Sequence, residues 1–136
     1  MVRTTERCLP ARIYADLLGK PFKKAGRGPD GYDCLGLTLE VARRIGKQLP
    51  NYVSEESELH AQLGAASLAD LPRIPAPAPG CVVLLRMRPD QHHLAVMVDE
   101  YRMLHTSERV GCVVERVLSP LWARKVIGYY SLAEAK

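Results

Sequence analysis

Apolar positions follow two different rhythms along the chain, and the change comes at Gly80. Upstream, Leu37, Val41 and Ile45 recur at four-residue steps, with Leu39 and Ala42 beside them. That stripe predicts an amphipathic helix over 34–45, with Asp33 at its N-cap and Gly46 at its C-terminal glycine position. A short helix is predicted over 11–18, where Ile13, Leu17 and Leu18 share one side and Gly19 stops it. A third is predicted over 55–63, capped by Ser54 and opened by two glutamates. Downstream of Gly80, residues 81–87, 92–98, 101–105, 111–117 and 125–131 are rich in Val, Leu, Ile and Tyr and read as strands. Helices followed by short strands predict an α+β domain: N-terminal helices packed on an antiparallel sheet of about five strands.

Two stretches break both rhythms. Gly19, Gly26, Gly28 and Gly31, with Pro21 and Pro29, make the approach to the main helix a loop. The proline-rich stretch 72–80 has to be an extended connection within the fold. A chain of 136 residues without internal repeats is expected to form one domain, 1–136.

Composition excludes more than it nominates. The chain is 47% hydrophobic and 25% charged, an ordinary globular balance rather than a disordered one. Its net charge of +4 suits an approach to an anionic polymer but is too small to nominate nucleic acid. No run approaches the ~20 apolar residues of a membrane span. Residues 1–7 hold no apolar signal core, so the expectation is cytoplasmic synthesis with reduced thiols. Cys8, Cys34, Cys81 and Cys112 form no C-x-x-C pair, and neither a disulfide framework nor a zinc site is expected.

Cys34 is the cysteine whose position carries chemistry. The start of a helix favours a thiolate through free N–H groups and the helix dipole, and a glycine-rich loop beside it leaves room for a substrate. A thiolate nucleophile needs a base that returns a proton to the leaving group, and histidine suits that task. His60 sits on a polar helix face and reads as solvated. His92 and His93 are neighbours in a strand and so face opposite sides. The small Ala95 two residues on from His93 leaves space, which favours His93, with His92 as the alternative. If Asp99, Glu100 and Tyr101 form a three-residue loop, Ala95 pairs with His105 and the two histidines become diagonal neighbours on one face. A two-residue loop would separate them. In the first register His105 orients His93, completing a nucleophile–base–orienter set.

These residues resemble a known family. Gly19-Lys20-Pro21-Phe22, Ala25-Gly26 and Gly31-Tyr32-Asp33-Cys34-Leu35-Gly36-Leu37 look like the approach and nucleophile motif of the NlpC/p60 papain-like cysteine peptidases. Pro79-Gly80-Cys81-Val82-Val83 resembles the family's first core strand. His93-Leu94-Ala95-Val96-Met97-Val98, with His105 beyond it, resembles the base strand and third polar residue. The segment 111–117, Trp122 and the segment 124–130 resemble its closing strands, so the likeness spans about residues 10–131. The resemblance implies a papain-like fold and cleavage of peptidoglycan stem peptides, commonly beside D-γ-glutamyl linkages, without a cofactor. It implies Cys34 as nucleophile, His93 as general base and acid, and His105 as orienting residue. Tyr32, Asp33, Phe22 and Leu35 would line the substrate cleft.

Three positions depart from the family pattern. Phe22 stands where relatives usually carry Tyr, Leu35 where Ser is common, and Ala95 where Gly is usual. The form Asp33-Cys34-Leu35-Gly36-Leu37 and the ending over 122–130 look most like the short cell-wall peptidases of phage and prophage tails. That likeness implies a virion setting at the tail tip, with tail hub or tip proteins as partners beside peptidoglycan. The alternatives that keep the fold are a structural tail-assembly protein that cleaves nothing, and an acyltransferase or amidase.

Overall fold

The computed structural model describes residues 7–49, 71–89 and 91–135. The helix predicted over 55–63, its Ser54 cap and His60 lie outside them. The main helix, α1 (Cys34–Arg44), forms where its apolar stripe predicts. Asp33 caps it by accepting a hydrogen bond from Gly36 N–H at 2.7 Å. Gly46 follows its end with φ +72°, a left-handed conformation that glycine adopts without strain.

The stretch 11–18 departs from expectation. It forms two single 3₁₀ turns, Ala11–Ile13 and Ala15–Leu17, rather than one helix. Eight residues are too few to hold an isolated α-helix, and the tight turns send Ile13, Tyr14 and Leu17 together into the core.

Among the described residues, eight short or medium strands follow in chain order: β1 (Lys47–Gln48), β2 (Arg73–Ile74), β3 (Val82–Arg88), β4 (Gln91–Met97), β5 (Arg102–Ser107), β6 (Gly111–Arg116), β7 (Val126–Tyr130) and β8 (Ala133–Glu134). The main sheet runs β2-β7-β3-β4-β5-β6, antiparallel throughout. It has six strands rather than about five because the proline-rich connection adds β2 at its edge. Pro72 and Pro75 flank β2, and an edge position tolerates their missing N–H groups. β1 and β8 form a separate two-stranded ribbon that the strand pattern did not predict.

The sheet packs on both faces. Val82, Leu84, Leu94, Val96 and Leu104 point to the side covered by α1, through Leu37, Val41, Ala42 and Ile45. Val83, Leu85, Ala95, Met97 and Met103 point to the other side, which Val117 and Trp122 close. This alternation within β3, β4 and β5 is the period of two expected of a pleated sheet.

Candidate active site

Cys34 occupies the first turn of α1, as its sequence position suggests, but it is only 2% exposed. The glycine loop presses against that turn. Gly26 C=O accepts from Asp33 N–H at 3.2 Å, and a Cβ on Gly36 would stand 1.9 Å from the same oxygen. Only glycine fits at position 36, because the obstacle is backbone. Burial pushes the Cys34 thiol up from the ordinary 9.0 to about 12, against hydrogen bonds from the Leu94 and Leu35 backbone. The helix start therefore does not lower this thiol's pKa: the loop that packs on it takes away the water that would solvate a thiolate.

The hairpin between β4 and β5 has the three-residue loop that favours a histidine pair. Val96 pairs with Leu104 and Met97 with Met103, so Ala95 lies across from His105. Asp99 builds the turn, its Oδ1 accepting from both Tyr101 and Arg102 N–H at 2.7 Å. His93 Nε2 then lies 3.1 Å from His105 Nδ1, a hydrogen bond between buried rings set nearly perpendicular.

His92 begins on the face that α1 covers, and His93 on the opposite face. Both line a cleft of about 310 Å³ with Phe22, Thr106, Ser107 and Trp122. Arg88 and Lys125 bring positive charge to its rim, and Glu108 brings negative charge. Neither Cys34 nor His105 lines the cleft itself. The Cys34 thiol accepts a hydrogen bond from the backbone of Leu94, one residue past His93.

The other expected cleft residues divide. Phe22 lines the cleft. Leu35 is fully buried in the core beneath α1, and Tyr32 is 4% exposed, its ring packed over Gly28. Tyr32 packs against the glycine loop and Leu35 within the core, so neither side chain is open to a substrate. Asp33 is buried, and its Oδ1 is already shared by Gly36 N–H and the Arg27 guanidinium at 2.8 Å. An amine would meet a carboxylate whose Oδ1 is already engaged. Among the described residues, no cluster of His, Cys, Asp or Glu is arranged to hold a metal ion. Among them too, all four cysteines are free thiols, with Cys81 and Cys112 buried and Cys8 exposed.

Two residues of the site escaped sequence reasoning as functional groups. Glu115 Oε2 lies 3.3 Å from His105 Nε2, and Trp122 Nε1–H donates to the same oxygen at 2.6 Å. The Trp122 ring stacks near-parallel to His93 and stands edge-on to His105. A signal for Glu115 did exist. A three-residue turn between β5 and β6 pairs His105 with Val113 and Met103 with Glu115, which makes Glu115 the diagonal neighbour of His105. Trp122 arrives from an irregular segment, and no periodicity predicts where it lands.

Known proteins share this fold. A model of the NlpC/P60 family matches residues 19–131. No curated protein gives a significant match. Among solved structures, an NLP/P60 family protein similar to a lipoprotein, from Staphylococcus aureus, superposes with a TM-score of 0.59 at 17% identity. The match covers 98% of this chain and 45% of that one. An NlpC/P60 family protein from Bacillus cereus gives 0.57 at 18% identity, over 95% of this chain and 42% of the other. The NlpC/p60 domain of the peptidoglycan hydrolase SagA gives 0.59 at 20% identity, over 89% of this chain and 97% of that domain. The chain thus spans less than half of the first two proteins and nearly the whole of the isolated domain.

Proposed function

We propose, for a chain that belongs to the NlpC/P60 family, that it is a cysteine peptidase hydrolysing peptide bonds in bacterial peptidoglycan stem peptides. The observation that carries the reading is the His93–His105 hydrogen bond at 3.1 Å, on a strand whose next backbone N–H reaches the Cys34 thiol. Cys34 is the nucleophile, His93 the general base and acid, and His105 the orienting residue. As Sγ attacks the carbonyl carbon, the thiol proton passes to His93. The Cys34 backbone N–H contributes to stabilising the developing oxyanion. The adduct collapses to a thioester, and His93 gives its proton to the departing amine. Water then loses a proton to His93 as it attacks the thioester, which releases the carboxylic acid and restores the thiol.

The proposed bond is of the D-γ-glutamyl type, the linkage the family commonly cleaves. The proposed working setting is a phage or prophage tail tip, with tail hub or tip proteins as partners. The motif Asp33-Cys34-Leu35-Gly36-Leu37 and the ending over 122–130 support that setting.

Digestion of purified peptidoglycan, followed by mass spectrometry of the released muropeptides, tests the chemistry. New amine termini that vanish in Cys34→Ala are the expected result. Equal products from wild type and Cys34→Ala would sink the reading. A second reading, a tail-assembly protein that cleaves nothing, is favoured by one observation: the thiol is 2% exposed and held at about 12. Stable capture of tail hub proteins with no muropeptide release would select it.

A further inference from the structure

His105 Nε2 is buried, and among the described residues it has no acceptor in full hydrogen-bond geometry. The group it faces is the Glu115 carboxylate, 3.3 Å away. Burial holds the His105 imidazole below its ordinary pKa against the pull of Glu115, so the ring is neutral at pH 7. A neutral ring carries one N–H. Placing it on Nδ1 would turn the Nε2 lone pair toward a carboxylate, acceptor against acceptor. Placing it on Nε2 lets a small shift close a charge-assisted hydrogen bond. The Nδ1 lone pair then faces His93 Nε2 across 3.1 Å, and that bond requires the His93 proton to be on Nε2. The basic lone pair of His93 is thereby assigned to Nδ1.

We propose that Glu115, held by Trp122, is a positioning residue that sets the ring tautomers of His105 and His93 in series. Glu115 touches no reacting atom. It acts through two imidazoles, in the way outer-shell carboxylates fix the tautomer of a histidine elsewhere. Trp122 fixes Glu115 in turn: its indole N–H occupies the same Oε2 at 2.6 Å, while its ring lies beside both imidazoles. The inference rests on the reading of His93 as general base, but its main test does not depend on activity.

That test is nitrogen-15 NMR of the histidine rings at pH 7.5, with peptidoglycan turnover measured in parallel. In the wild type, both His93 and His105 carry the proton on Nε2. In Glu115→Ala, His105 loses that single form, His93 follows, and kcat falls about tenfold or more with little change in KM, part of what general-base catalysis supplies. Glu115→Gln keeps an acceptor oxygen, so it retains the wild-type tautomers and recovers most of kcat. Trp122→Phe keeps a ring beside the imidazoles but removes the N–H, and moves the tautomers the same way by less. Glu115 is partly exposed at its side chain, so its two variants are expected to fold, and circular dichroism checks all three. Unchanged Nε2–H forms in folded Glu115→Ala would overturn the proposal even if the wild type cleaves peptidoglycan. A tautomer shift in a protein that releases no muropeptides would uphold the proposal and overturn the peptidase reading.

Discussion

The two faces of the sheet are built from the same three strands and do different things. Beneath α1, β3, β4 and β5 present Val82, Leu84, Leu94, Val96 and Leu104, every one fully buried. On the opposite face the same strands present Val83, Leu85, Ala95, Met97 and Met103, and then His93 and His105. The first face is apolar where α1 covers it, with His92 and Thr106 only at the strand ends, and its burial holds the helix on the sheet. The second changes from apolar to polar along its length, and its polar end opens into the cleft. Cys34 belongs to the first face and the histidines to the second. The proposed nucleophile and the proposed base are therefore carried by different packing layers, and the link between the layers is the Leu94 backbone hydrogen bond to the thiol. A site built this way depends on the sheet as a rigid spacer, since neither layer alone places both groups.

Neighbouring substitutions break the comparison in opposite directions. The largest effect is expected from His93→Ala, which should lower peptidoglycan turnover by about 10²–10⁴-fold with little change in the urea midpoint. Turnover within a few fold of wild type would remove His93 from the chemistry. Leu104→Ala, one residue from His105 but on the helix-covered face, should cost about 2–5 kcal/mol of stability in urea unfolding. Its kcat per folded molecule should stay near wild type, and an equal loss in both quantities would show the faces to be energetically one.

The third expectation concerns pH. The folded state keeps the Cys34 thiol protonated up to about 12, whereas the same thiol in the unfolded chain ionises near its ordinary 9.0. Above pH 9 the unfolded state therefore holds fewer protons, and stability falls as pH rises, by at most about 1.4 kcal/mol per pH unit from this group. Cys34→Ala should flatten that decline between pH 8.5 and 10.5. Parallel curves for the two proteins would mean that the thiol is not desolvated in solution. The smallest effect is expected from Asp33→Ala, which removes the cap of α1 and costs about 1 kcal/mol. Thermal unfolding measures it, and a loss above about 3 kcal/mol would show that the Arg27 pair at 2.8 Å matters more than the cap.

Much of this was legible in the residues because it depends on local period and local turns. The α1 stripe, its Asp33 cap and Gly46 end follow from helical spacing. The contact between His93 and His105 follows from alternation plus a three-residue loop that Asp99 can build from its own side chain. The strand β2 was hidden among prolines, and the 3₁₀ turns near the N-terminus were hidden by a stretch that looks helical. The family resemblance points Leu35 and Tyr32 toward a substrate, yet packing buries both.

Residue order alone sets which residues share a face, where the helix starts, and that one cysteine and two histidines stand at positions able to form a site. Those are consequences of repeat geometry over a few residues. Long-range packing sets how the Cys34 thiol is solvated, which carboxylate His105 faces, and what Trp122 covers. Each of these depends on how segments far apart in the chain pack together. A pKa and a ring tautomer are set by the nearest charges and by the absence of water, and neither is a property of a residue's own neighbours in sequence.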